Sequence, residues 1–252
     1  MIYIKSSTEI AKMRESGKIV YNTLKEVEKH IKAGITTREL DRIAKEYILS
    51  QGAKPSFLGY NGYPASICAS INEVVIHGIP SQRKLEDGDI ISIDVGAVKD
   101  GYHGDAARTF AVGKISDEAQ RLIDVTKQSF FEGLKYARPD NRLSDISHAI
   151  ESYVKKFGYT VVLDFTGHGV GRHLHEDPAV PNYGQAGHGP LLKEGMTLAI
   201  EPMVNMGTHR VKILQDGWTT VTADKKMSAH YEHSIVITKD GYEILTKLKE
   251  NE

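Results

Sequence analysis

The sequence predicts an α+β fold, a single domain over residues 1–252 built from two similar halves, about 36–113 and 140–240. Three observations lead there. The hydrophobic period switches twice along the chain, from helical steps of three and four to short Ile- and Val-rich runs. The segment from Leu85 to Asp94 (LEDGDIISID) lines up with that from Leu192 to Glu201 (LKEGMTLAIE): the Leu, Gly and Ile positions match, and each segment ends in a carboxylate. Upstream, the helix face Leu40, Ile43, Ala44, Tyr47 is answered by Leu143, Ile146, Ser147, Ile150. Two such halves facing each other would bring Asp94 and Glu201 to one central site.

The elements follow in order. Ser6, Ser7 or Thr8 can cap a first helix, whose apolar stripe runs Ile10, Met13, Gly17, Val20, Leu24, Val27, Ile31 and which Gly34 ends. A second helix opens at the capping-box pattern TTRE, residues 36–39, carries Leu40, Ile43, Ala44, Tyr47 and Ile48, and stops at Gly52 and Pro55. Segments around 65–71, 73–77, 89–98 and 102–112 are short and bounded by Gly, Asn, Asp and Pro, which predicts antiparallel strands. A third helix, 116–136, starts at the cap residue Ser116. After Pro139, a fourth, about 143–157, carries Leu143, Ile146, Ile150, Val154 and Phe157. Further strands reach to near 247. No low-complexity linker divides the chain.

Composition removes several functional classes. With 32 Lys and Arg against 33 Asp and Glu, the chain lacks the basic footprint of a nucleic-acid binder. No apolar run approaches the roughly 18 residues that span a bilayer, and the N-terminus has no signal-peptide pattern. Cys68 is the one cysteine, so no internal disulfide forms, and a reducing compartment, the cytoplasm, is expected. Histidine is the odd entry. Of 11, seven (His168, His173, His175, His188, His209, His230 and His233) fall between 168 and 233, which raises a metal site as a question.

The chemistry concentrates in five residues. Asp94 ends the apolar strand IISID. Asp105 follows after a turn signal at Lys99-Asp100-Gly101, which places the two carboxylates within about one residue of directly opposite each other. Opposed like charges destabilise a sheet unless a positive group lies between them. Two solvated carboxylates, a pairing with Arg108, or a bound dication would each answer this. His168 lies between glycines in GHGVG, where absent side chains leave room for a metal and a substrate backbone. Glu201 sits between an apolar strand and a proline, and Glu232 at the start of another apolar strand. Four carboxylates and one imidazole suit Mn, Fe, Co or Zn better than a structural zinc, and their charge would roughly neutralise two dications.

With these motifs in place, Asp94 in DVGA, Asp105 in HGDAARTF, His168 in GHGVGRHLHEDP, Glu201 in AIEP and Glu232 in YEHSIVIT, the chain resembles the methionine aminopeptidases over nearly its whole length, most closely the short bacterial type I form. The resemblance implies the pita-bread fold, with two pseudo-symmetric αβ halves around a central antiparallel sheet. It implies that Asp94 chelates one divalent ion, that His168 and Glu201 hold a second, and that Asp105 and Glu232 bridge both. A metal-activated water would attack the carbonyl after the initiator methionine of a nascent peptide whose second residue is small, with Glu201 also shuttling the proton. His175 would hydrogen-bond the oxyanion and His77 the scissile nitrogen. Tyr60, Tyr63, Cys68, Leu174 and Trp218 match the methionine pocket, with Leu174 standing where many relatives carry Phe. Backbone oxygens of Asn72, Val74 and Ser228 match a Na or K site. His230 departs from the Gln common in relatives, a difference expected at the rim of the site. His103, His173, His188, His209 and His233 are expected to be bystanders. A monomer with transient ribosome contact, and no membrane or nucleic-acid partner, completes the expectation.

Four rivals stand beside it. A prolidase or X-Pro aminopeptidase usually carries a large extra N-terminal domain. Type II methionine aminopeptidases carry a helical insertion that the 33 residues from His168 to Glu201 leave no room for. A non-catalytic pita-bread module would have lost ligands. A dinuclear phosphoesterase would add basic groups for phosphate.

Overall fold

Four α-helices and fifteen short strands are present in residues 1–247, the part of the chain that this computed structural model describes. The first half holds α1 (Ser7–Glu28), α2 (Thr37–Ser50), β1 (Lys54–Pro55), β2 (Ile67–Ile71), β3 (Val74–Ile76), β4 (Ile90–Lys99) and β5 (Tyr102–Ala111). The second holds α3 (Asp117–Leu134), α4 (Leu143–Lys155), β6 (Thr160–Val161), β7 (Gly167–Gly169), β8 (Glu176–Val180), β9 (Thr197–Ile200), β10 (Met203–Asn205), β11 (Val211–Ile213), β12 (Thr220–Thr222), β13 (Ser228–His230), β14 (His233–Thr238) and β15 (Gly241–Ile244).

The helix starts lie where the cap signals put them. Ser6 and Glu9 form a reciprocal capping box at α1, as do Thr36 and Glu39 at α2, and the Ser116 hydroxyl accepts from Ala119 N at α3. The ends differ from the sequence reading. α1 stops at Glu28, short of Gly34, because the chain tightens into an i+3 turn at Val27–His30 and Gly34 then donates to the Leu85 carbonyl. α3 and α4 each end two residues earlier than the apolar pattern runs.

Each half lays a helix pair over its own apolar core. Val20, Leu24, Leu40, Ile67 and Ile93 pack beneath α1 and α2; Leu122, Phe130, Ile146, Leu198 and Ile235 pack beneath α3 and α4. The sheets repeat as well. β2, β4 and β5 pair in that order, and β7, β9 and β14 answer them in the second half. An isolated bridge joins Thr36 to Lys84 and another joins Arg142 to Leu191, at matching places before each helix and each central strand.

The halves meet along a seam between β5 and the β13–β14 segment. At its centre Ala107 and Glu232 exchange backbone hydrogen bonds of 2.9 and 3.3 Å. On either side the backbone no longer pairs directly and hydroxyls fill the gap. Asp105 N donates to Ser234 Oγ, which donates to the Asp105 carbonyl; His230 N donates to Thr109 Oγ1, which donates to the His230 carbonyl.

The β4–β5 hairpin corrects one expectation. Its two-residue loop is Asp100-Gly101, both at positive φ (50° and 78°), the type I′ form that suits a right-twisted hairpin. The register therefore pairs Asp94 with Ala107 and Gly96 with Asp105, so the two acids lie two residues apart diagonally instead of nearly opposite. An even offset keeps both on the same face, whereas a single-residue slip would have sent one to the far side. Arg108 falls on that far side and stacks over the Tyr21 ring, 5.1 Å from its centroid, and does not serve as the acids' counter-ion.

Gly17 permits α1 to lie directly on the chain beneath it. A Cβ there would sit 2.1 Å from the Leu245 carbonyl oxygen, and one on Gly104 would sit 2.9 Å from Gly17 N. Backbone atoms on both sides cannot rotate away. Gly17→Val is therefore expected to cost at least roughly 1–3 kcal/mol, read as a lowered urea midpoint at unchanged slope; an unaltered midpoint would show that the helix can shift freely.

Candidate metal centre

The seam and the two central strands bring all five sequence-predicted acid and imidazole residues to one place. Asp94 stands in β4 and Asp105 in β5 on the shared face. His168 is the middle residue of β7, held beside Ala199 of β9. Glu201 follows β9, where Pro202 ends the pairing and Asn182 Nδ2 donates to the Glu201 carbonyl. Glu232 sits in the break between β13 and β14, with its backbone tied to Ala107. Donor atoms of Asp105, His168 and Glu232 all lie within 4.8 Å of one another, and so do those of Asp94, His230 and Glu232.

His168 is set up as a nitrogen donor. Its Nδ1 lies 2.8 Å from the Gly169 carbonyl, which can only accept, so the proton is on Nδ1 and the Nε2 lone pair faces the acids. Nε2 is 3.5 Å from Glu201 Oε1 and 3.8 Å from Asp105 Oδ2. Burial lowers its pKa to about 3, aided by the neighbouring His175, so the ring is neutral at physiological pH.

The four carboxyls are pushed the other way. Burial, first, raises Asp94 to about 7. Burial and then the charges of Glu232 and Asp94 hold Asp105 well above the usual range. Burial followed by neighbouring acids does the same for Glu201 and Glu232. Asp94 Oδ1, Asp105 Oδ1 and Glu232 Oε1 are buried without a hydrogen-bond partner. Buried acceptors of this kind are costly unless a proton or cation meets them. Hard oxygens, an aimed imidazole and orphaned lone pairs are the donor set a divalent first-row ion takes.

A cavity of about 220 Å³ opens from this cluster. Tyr60, Tyr63, Cys68, Leu174 and Trp218 all line it, together with His77, His175 and the five acid and imidazole residues. Trp218 stands nearly perpendicular to Tyr63, with 5.1 Å between ring centroids. His175 lies with Nδ1 2.7 Å from the Tyr60 hydroxyl and its ring 4.2 Å from that of His168. His77 packs edge-on against Phe165 and Trp218 and adopts a positive φ of 57°, a strained backbone for a side chain and one that clusters at functional sites. Burial lowers its pKa to about 4. Asn72, also at positive φ (53°), accepts from Ser228 N through its carbonyl, and Val74 begins the adjoining strand β3.

Three neighbours were missed or misplaced in the sequence. Phe57 and Asn61 line the cavity from the loop after β1, where no periodicity marks them. His230 does not sit at a rim: it is 2% exposed, inside the cluster, with Nε2 3.7 Å from both Glu201 Oε2 and Glu232 Oε2. His233 is held by Thr246 and the Tyr231 hydroxyl.

Comparison with known proteins agrees with this geometry. The model of metallopeptidase family M24 matches residues 11–239, and the chain belongs to that family. Within it the chain stands with the methionine aminopeptidases. It is 57% identical over 249 residues to the methionine aminopeptidase of Clostridium perfringens, covering 99% of this chain and 100% of that one. The crystal structure of methionine aminopeptidase from Rickettsia prowazekii superposes with a TM-score of 0.97 at 45% identity, covering 98% of this chain and 100% of that one. Prolidase from Pyrococcus furiosus reaches a TM-score of 0.81 at 24% identity, covering 98% of this chain but 66% of that one, a likeness of the pita-bread fold alone.

The raised carboxyls make stability depend on pH. A carboxyl whose folded pKa exceeds its unfolded value contributes stability that is complete below the unfolded value and lost as pH rises through the folded one. For Asp94 that window runs from 3.8 to about 7, and its three partners are raised in the same direction. The depressed histidines act oppositely, but only below their ordinary 6.5. Protein stripped with EDTA should therefore melt at progressively lower temperature from pH 6.5 to 8. Saturating Co or Mn should abolish that decline, and Asp94→Asn should make it shallower. A melting temperature that rises over this range would contradict the assignment.

Proposed function

We propose that the chain is a metal-dependent aminopeptidase that removes the initiator methionine from nascent polypeptides with a small second residue. One observation carries the reading: the buried acid and imidazole cluster opens directly into a cavity with an apolar, aromatic wall. The wall seats a thioether side chain, which is favoured against aromatic rings, while the cluster lies where the scissile bond would be. The comparisons with methionine aminopeptidases support the same substrate class.

The roles we propose are those the family resemblance implies. Asp94 would hold one divalent ion and His168 and Glu201 a second, with Asp105 and Glu232 shared between the two; Co, Mn, Fe and Zn all suit this donor set. Such ions supply Lewis-acid polarisation of the carbonyl and a lowered pKa for water. Glu201 takes the proton of the attacking water and delivers it to the departing amine. His175, with Nδ1 engaged by Tyr60, directs Nε2–H at the developing oxyanion. Neutral His77 accepts from the scissile N–H. Tyr60, Tyr63, Cys68, Leu174 and Trp218 enclose the methionine side chain, with Leu174 offering a smaller wall than Phe would. Carbonyl oxygens of Asn72, Val74 and Ser228 take a Na or K ion.

The chain works as one catalytic domain whose halves, 36–113 and 140–240, each supply part of the site. Among the described residues no helix is long and apolar enough to cross a membrane. We place the enzyme in the cytoplasm as a monomer that visits the ribosome transiently.

Stripped protein given Met-Ala-Ser should release methionine only after Co or Mn is restored, and failure to do so would end this reading. Asp105→Asn and Glu201→Ala should abolish turnover while leaving the folded circular-dichroism spectrum intact. His175→Ala should lower kcat by about 10²–10³ with little change in KM. Met-Ala peptides should be cleaved and Ala-Pro peptides left whole, the reverse of what a prolidase would do.

A further inference from the structure

The two groups of donors in the cluster share Glu232 and are otherwise distinct, and each contains one imidazole. Asp105 and His168 complete one; Asp94 and His230 complete the other. On the five-ligand scheme the ion held by Asp94 would have only oxygen donors. We propose that His230 is a sixth protein ligand, giving that ion a nitrogen donor to match the one His168 gives its neighbour. The proposal rests on the two-ion reading above.

Three observations carry it. First, His230 Nε2 is buried without a hydrogen-bond partner, although the side chain lies beside the carboxyls of Asp94, Glu201 and Glu232. A ring nitrogen there would be expected to hydrogen-bond one of them if it were positioned to do so. Second, its separations from Glu201 Oε2 and Glu232 Oε2, both 3.7 Å, are too long for a hydrogen bond. They match those of His168 Nε2 from Glu201 and Asp105, at 3.5 and 3.8 Å. Two donors that each stand about 2.1 Å from a shared ion lie roughly 3–3.5 Å apart, so a small closure brings either imidazole into coordination. Third, the ring is carried by a fixed backbone. Thr109 Oγ1 holds both the N–H and the carbonyl of His230 at 2.9 Å, and Ser92 Oγ lies 2.8 Å from Thr109 Oγ1 in turn. Strand β13 thus presents the ring to the acids from the seam itself.

The chemistry has a direction. A second imidazole makes the site softer, favouring Fe, Co and Zn over Mn more than an all-oxygen position would. Gln at the same place could offer only an amide oxygen.

The test is a crystal structure of the Co-loaded protein with anomalous scattering, paired with calorimetric titration of stripped wild type and His230→Gln. The expected structure has His230 Nε2 about 2.0–2.3 Å from the cobalt that Asp94 holds. The expected titration shows one of two cobalt equivalents weakened about tenfold or more in the variant, the other unchanged, and a narrowed preference for Co over Mn. Two cobalt ions bound with His230 Nε2 beyond 3 Å of both would overturn the proposal while leaving the two-ion reading intact, and so would equal titrations of variant and wild type. Wild-type protein that binds no ion among the acids would overturn both together.

Discussion

Four carboxyl groups crowd together at the foot of one cavity, and among the described residues no lysine or arginine forms an ion pair with them. Arg108, the one cation in the acidic hairpin's motif, faces away and stacks on Tyr21. The acids respond in the only way open to them without a partner, by holding their protons far above the usual range. The imidazoles among them respond in the opposite sense and stay neutral. The same burial therefore prepares oxygen donors that gain most from a cation and nitrogen donors with free lone pairs. Local folding choices around the cluster serve this arrangement: the proline after Glu201, the carbonyl that fixes the His168 tautomer, and the hydroxyls that prop the seam apart.

The repeated architecture explains how so many acids can be brought together. Each half carries a carboxylate from its central strand, Asp94 midway along β4 and Glu201 directly after β9, and the seam sets the two strand systems side by side. Asp94 and Asp105 come from one hairpin, His168 and Glu201 from the answering strands, and Glu232 from the segment that stitches one to the other. Neither half alone offers more than part of the donor set. Each half can nevertheless build its own core beneath its own helix pair.

Much of this was legible in the sequence because it depends on local signals. Caps at Ser6, Thr36 and Ser116 begin helices through side-chain hydrogen bonds that need no tertiary partner. The turn signal at Lys99-Asp100-Gly101 marks a hairpin between Asp94 and Asp105, and the motifs around the five donors carry the family likeness. What was misread depends on distance along the chain. The hairpin register turned on which two of Lys99, Asp100 and Gly101 take positive φ, and Asp100 and Gly101 do. His230 looked peripheral because sequence offers no view of β13 meeting β5. Phe57 and Asn61 lie in a loop whose exposure is decided by the cavity it borders.

The seam has a consequence for the order in which the molecule comes into being. Its hydroxyl bridges join residues 121 and 129 positions apart, so the two sides are made at very different moments of synthesis. The acidic hairpin emerges early and must wait, protonated or solvated, until almost the whole chain has followed. Long-range pairings of this kind are slow to form, since a large loop must close before any contact rewards it. Activity is thus acquired late and all at once, and an incomplete chain that ends with the first half would hold only Asp94 and Asp105 of the donor set.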